Sequence, residues 1–183
     1  MPNKILNLLI ISGALFFLSF SVQADTMTVE RYLKEKAAPD SQVFLPGFAK
    51  VAGKRVLCGK RPVLIDNDFS DYGGAYPGFV ILNRSKLKGL PKAVKLYIFA
   101  HECGHQFRGR DETAADCYSV KRGRREGWLT KKGLEQVCRF MLPHVGDRMH
   151  LPGPQRCKIM RKCYADAFRN RELKAQLKNN SKK

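Results

Sequence analysis

The stretch Leu90-Pro91-Lys92-Ala93-Val94-Lys95-Leu96-Tyr97-Ile98-Phe99-Ala100-His101-Glu102-Cys103-Gly104-His105-Gln106 decides how the rest of the chain is read. Pro91 suits the first position of a helix, where its missing N–H costs nothing. From Lys92 to Gln106 the residues are compatible with a helix. Val94, Leu96, Tyr97, Ile98, Phe99 and Ala100 leave it little polar face, so it is expected at the centre of the fold. Phe107-Arg108-Gly109-Arg110 ends it, with Gly109 as the stop signal. Asp111 can cap a second helix, Glu112 to about Lys121. A third is expected from Leu129 to Leu142. After a loop from His144 to Gln155, a last helix from about Gln155 to Leu177 puts Cys157, Met160, Tyr164 and Phe168 on one stripe.

Upstream of the central helix the pattern differs. Asp25 to Lys36 reads as a short helix with Thr28 as cap. Arg55 to Cys58, Pro62 to Ile65 and Phe79 to Leu82 read as short strands. Asp66 to Gly78, with Gly73-Gly74 and Pro77, reads as a polar loop. Strands come first and helices after. That order implies an α+β domain, with a small antiparallel or mixed sheet packed on the central helix and further helices following.

Residues four apart on a helix share a face, so His101 and His105 point the same way. Two imidazoles at that spacing can hold one zinc ion. Glu102, beside the first ligand, can reach a zinc-bound water as general base without being a ligand. Catalytic zinc needs a third protein ligand and an open position. Glu112 and Asp116 are also four apart, and Gly109 lets the chain turn back toward the histidines. Glu112 is therefore read as the third ligand, and Asp116 as the outer partner of a zinc-bound histidine. Two histidines and a glutamate on so apolar a helix would be costly to bury without such a role.

His101-Glu102-Cys103-Gly104-His105 followed by Glu112-Thr113-Ala114-Ala115-Asp116 resembles the zincin metallopeptidases of the gluzincin branch, over roughly residues 79 to 118. The resemblance implies that residues 25–183 form a minimal zincin-like domain that binds one zinc ion and hydrolyses peptide bonds. The six residues between His105 and Glu112 are few for the thermolysin pattern. Asp111 stands as the alternative ligand, where a metzincin-like motif puts its acidic residue. By analogy with zincins, Phe79 to Leu82 is expected to be the edge strand that pairs with an extended substrate. Gly146 to Pro152 with Arg156 is similar to a segment of peptidases related to the CAAX endopeptidases, which implies that His150 or Arg156 stabilises an oxyanion.

Met1 to Lys4, the apolar run Ile5 to Phe20 and Val22-Gln23-Ala24 have the layout of a secretory signal peptide cleaved after Ala24. The run is short for a spanning helix, and no other segment is long and apolar enough to span a bilayer. The expected location is the periplasm or the medium. Six cysteines, Cys58, Cys103, Cys117, Cys138, Cys157 and Cys163, all follow this segment and are read as disulfide partners. Cys103 and Cys117 point off the zinc face, and a bridge between the two zinc-bearing helices is one expectation; pairing of each with a distant cysteine is the other.

The chain of 183 residues carries 34 Lys and Arg against 16 Asp and Glu, a net charge of +18. That favours acidic partners. From Arg156 to Lys183 there are ten basic residues and two acidic ones, a segment able to dock on anionic lipid or glycan. No nucleic-acid-binding motif accompanies the charge. Two functions follow: an exported zinc metallopeptidase acting on a peptide or protein substrate, or a non-catalytic, zinc-stabilised basic binding protein. Glu102 separates them, because a structural site has no need of a carboxylate there.

Overall fold

The computed structural model describes residues 26–180, with side chains as far as Phe168. The apolar N-terminal run and the processing site expected after Ala24 lie outside the described residues, as do the side chains of the basic segment beyond Phe168. Helix α1 (Val29–Glu35) starts where Thr28 accepts a hydrogen bond from the Arg31 amide at 3.2 Å. Strands β1 (Gln42–Phe44), β4 (Val63–Ile65), β6 (Phe79–Leu82) and β5 (Gly73–Tyr76) form one mixed sheet in that order. β4 and β6 run parallel; the outer pairings are antiparallel. A separate two-stranded ribbon joins β2 (Lys50–Val51) to β3 (Lys54–Arg55). The single-turn α2 (Arg84–Leu87) leads into α3 (Lys92–Arg108), α4 (Glu112–Arg125), α5 (Lys131–Met141) and α6 (Gly153–Asn180). The chain is thus α+β, with its strands before its main helices. No described helix is long and apolar enough to cross a membrane.

The core explains the central place of α3. Val94, Leu96, Tyr97, Ile98, Phe99 and Ala100 are all buried. Most of them pack with Val63, Ile65, Val80 and Leu82 of the sheet and with Leu134, Val137 and Met160 of α5 and α6. Pro91 lies one position earlier than expected, as N-cap, and α3 starts at Lys92.

Two expectations are corrected. Phe79–Leu82 is fully buried between β4 and β5, so it is an interior strand and not an edge. The edge beside α3 is β5, whose residues read as a loop. Gly-Gly-Ala-Tyr has poor strand propensity, yet small residues are what the place demands. A Cβ on Gly73 would lie 3.0 Å from Glu102 Cγ and 3.2 Å from the Ile81 carbonyl oxygen, and one on Gly74 would lie 2.5 Å from Phe69 Cζ. Close approach, not pleat preference, selects glycine here.

The bridge between Cys103 and Cys117 does not form. Cys103 bonds to Cys58, Cys117 to Cys163 on α6, and Cys138 on α5 to Cys157 on α6. Cys117 follows Asp116, so it is turned about 100° around the α4 axis, away from α3. Three bridges within one domain fit an oxidising compartment.

Candidate metal centre

α3 and α4 approach closely where Gly104 faces Ala115. A Cβ on Gly104 would stand 3.1 Å from Ala115 Cα. The connection is short because its residues have specific tasks. Gly109 closes α3 at φ 64° and ψ −143°, a conformation open essentially only to glycine. Asp111 caps α4, its Oδ1 accepting from the Ala114 amide at 2.9 Å. Glu112 is then the first residue of α4 and faces the histidines. Asp111, engaged as that cap, is not among the residues brought together with the histidines.

His101 Nε2 lies 3.1 Å from His105 Nε2 and 3.0 Å from Glu112 Oε2, and His105 Nε2 lies 3.4 Å from Glu112 Oε1. These three side chains form a group that can hold a metal ion. Ligand atoms on a tetrahedron with bonds of ~2.0–2.1 Å stand about 3.3 Å apart. The His101–His105 and His101–Glu112 Oε2 spacings lie close to that edge, while His105 approaches the other Glu112 oxygen, and each of the three residues has one donor atom to offer such an ion.

The outer ring nitrogens are also fixed. His105 Nδ1 donates to the Gly109 carbonyl at 2.7 Å. A carbonyl only accepts, so Nδ1 carries a hydrogen, and Nε2 is the nitrogen that would offer its lone pair to a metal. His101 Nδ1 lies 2.9 Å from Asp116 Oδ1, off the line of a straight hydrogen bond. Asp116 is itself buried and held by others. It accepts from the Tyr97 hydroxyl, from Arg156 Nε at 2.8 Å and from Arg156 Nη2 at 2.7 Å. Asp116 therefore stands behind His101 as the spacing implied. Arg156 is turned to Asp116, with two of its nitrogens donating to that carboxylate.

Two clefts meet at the half-buried Glu102. One, about 390 Å³, is bounded by Gly73, Tyr97, His101, Val145 and His150. The other, about 760 Å³, is bounded by Ala75, Tyr76, His105, Glu112 and Met149. Strand β5 contributes to both. His150 Nε2 is 3.2 Å from Glu112 Oε2 and its Nδ1 is 3.0 Å from Asp147 Oδ2, so His150 reaches the rim of the group from the 144–152 loop.

Electrostatics follow from this packing. Burial pushes the Glu102 carboxyl up, against the pull of His101 and His105. Burial would also raise Glu112, but hydrogen bonds from the two histidines outweigh it and hold the carboxyl far below its usual range. Burial lowers His101; Asp116 and Glu112 outweigh it and lift the imidazole to about 9. In the metal-free chain that proton contributes stability that is fully present below pH 6.5 and is lost as pH rises through about 9. A metal ion must displace it. The metal-induced rise in Tm should therefore grow from pH 6.5 to about 8.5 in a thermal melt with and without zinc; equal increments at both pH values would refute the linkage.

Two residues escaped the sequence reading. Tyr97 precedes His101 by one turn, and that spacing alone could have pointed to it. Gln106 carried no signal. Its amide donates to the Tyr76 carbonyl at 2.8 Å and the Phe79 carbonyl at 3.0 Å, and its oxygen accepts from the Gly78 amide at 3.0 Å. It thereby fastens the β5–β6 turn to the residue next to His105. Gly73 is part of the same fit. Gly73→Ala should cost about 1–3 kcal/mol by overpacking, read as a lower Tm. An unchanged Tm would show that β5 can shift away from Glu102.

No family model, curated protein or solved structure matches the chain.

Proposed function

We propose that this chain is an exported zinc metallopeptidase. The observation that carries the reading is the convergence of His101, His105 and Glu112 beside a carboxylate that belongs to none of the three and opens on two clefts. Two imidazoles and one carboxylate form a donor set suited to catalytic zinc, and three protein ligands leave a position for water or substrate. Zinc bound there supplies Lewis acidity, which makes water a nucleophile near neutral pH and polarises a carbonyl.

The chain's own residues do the rest. Glu102 takes the proton of the attacking water at its carboxylate and passes it to the leaving amine. The outer edge of β5 lies along both clefts and can pair with an extended peptide by strand addition. Exposed Val145 and Met149, one in each cleft, offer contact to apolar substrate side chains. In its doubly protonated form, with Nδ1–H on Asp147, His150 donates from Nε2 to the substrate carbonyl oxygen as it gains negative charge. His150→Ala should lower kcat by about 10²-fold or more without loss of bound zinc. Loss of the metal in that variant would make His150 a fourth ligand and the site structural.

The test of the reading is cleavage of a peptide library followed by mass spectrometry. Cuts that vanish with a chelator and return with zinc would support it. Absence of cuts by a chain shown to hold zinc would favour the zinc-stabilised binding protein instead.

A further inference from the structure

The ribbon β2–β3 presents a face that nothing among the described residues covers. Its register pairs Lys50 with Arg55, and the Val56 amide donates to the Ala49 carbonyl at 3.0 Å. Continuing that register sets Phe48 opposite Leu57. Side chains alternate along a strand, so the ribbon sorts into two faces. Ala49, Val51 and Val56 are buried in the core. Phe48, Lys50, Arg55 and Leu57 point the other way, with Phe48 64% exposed and Leu57 49% exposed. The adjoining turn, closed by the Phe48 amide on the Leu45 carbonyl, adds Leu45 at 67%.

Cations dominate around this apolar tip, and Glu126, which shares a cleft with Lys54 and Arg55, is paired with Arg122. Between Ser41 and Ile65 there are five Lys or Arg and no Asp or Glu. Lys50, Lys54, Arg55 and Lys60 are exposed and have no ion-pair partner among the described residues. The patch extends beyond the ribbon. Lys50 shares a cleft of about 440 Å³ with Arg84, Lys88 and Lys95, and no acidic residue lines it. An apolar tip ringed by cations matches the interface of an anionic bilayer, where large apolar side chains enter below the headgroups and lysines and arginines meet the phosphates.

We propose that the outer face of β2–β3 docks this protein on a bilayer rich in anionic phospholipid, with Leu45, Phe48 and Leu57 inserted. This surface shares no residue with the candidate metal centre. It is rigidly joined to the centre, because Cys58, next to Leu57, is bonded to Cys103 on α3, and Arg61 lines the larger cleft. Docking holds that cleft near the membrane surface. If the peptidase reading is right, its substrates are polypeptide segments at that surface; the docking itself does not depend on that reading.

The test uses the processed form expected after cleavage at Ala24, residues 25–183, which carries every described element and all six cysteines, so that the N-terminal apolar run does not contribute. Phe48→Trp is mixed with vesicles of phosphatidylglycerol and phosphatidylcholine, or of phosphatidylcholine alone, with and without brominated acyl chains. The wild type, with its single Trp128, is the control. The expected result is a blue shift and quenching beyond the control with anionic vesicles only. Phe48→Ser with Leu57→Ser keeps every charge and should weaken vesicle partitioning about tenfold or more. Lys50→Gln with Arg55→Gln should weaken it to a similar degree, about tenfold at low salt and less at high salt. Both pairs are exposed, so unchanged Tm values are expected and certify the fold. A Phe48→Trp spectrum that does not differ from the control, or wild-type partitioning of the double serine variant, would overturn the proposal and assign the charge to another surface or a non-lipid partner.

Discussion

Replacement of Glu102 by glutamine should lower kcat by about 10²–10⁴-fold while the chain keeps its metal. Glutamine matches glutamate in shape, so the close fit of this side chain against Gly73 is preserved. What it loses is the ability to accept and return a proton. The position suits that function. Burial raises the Glu102 carboxyl, which makes it a better base, while His101 and His105 hold it back toward the ionised form. The measurement is kcat for the preferred peptide from the library, with metal content determined on the same sample. A variant that cuts as fast as the wild type would remove Glu102 from the chemistry and with it the peptidase reading. A variant that loses its metal would show that Glu102 holds the ion, and the assignment of three ligands would need revision. The substitution also removes a charge, so some change in KM is expected, but a structural role alone would not depress kcat with the metal in place.

Much of the candidate metal centre was legible because it is built on helices, where spacing in sequence fixes direction in space. His101 and His105 face one way because they are four apart, and Glu112 and Asp116 meet them for the same reason. The relation between α3 and α4 was harder to read. It depends on Gly104 allowing Ala115 within reach and on Gly109 adopting a conformation closed to other residues. The composition of the connection hints at both without fixing either. The sheet was read less well. β1 and β2 have only three and two residues, too few for a period to show. β5 was hidden by its own function, since the glycines that make it look like a loop are those that let it lie against Glu102 and Phe69. Cysteine pairing depends on which helices are neighbours, and α6 had to be placed against both α4 and α5 before Cys163 and Cys157 found partners.

Asp116→Ala should be the most disruptive single change to the fold near the site, at about 3–5 kcal/mol, because it strands a buried cation. Asp116 is 1% exposed and Arg156 is 9% exposed. The guanidinium donates to this carboxylate from both Nε and Nη2, and Nη2 also reaches the Tyr97 hydroxyl at 3.3 Å. Removing the carboxylate leaves the guanidinium, the Tyr97 hydroxyl and His101 Nδ1 facing an apolar gap. A further effect acts through His101. Without Asp116 the ring is no longer held in register, and metal affinity should fall about 10–100-fold. The two effects separate in a cycle with Arg156→Met. That change removes the stranded cation, so Asp116→Ala with Arg156→Met should recover much of the Tm lost by Asp116→Ala alone. Metal affinity should not recover with it, because the carboxylate that faces His101 Nδ1 is still missing. If affinity returned together with Tm, Asp116 would be a structural partner of Arg156 only, and the orientation of His101 would rest on α3 itself.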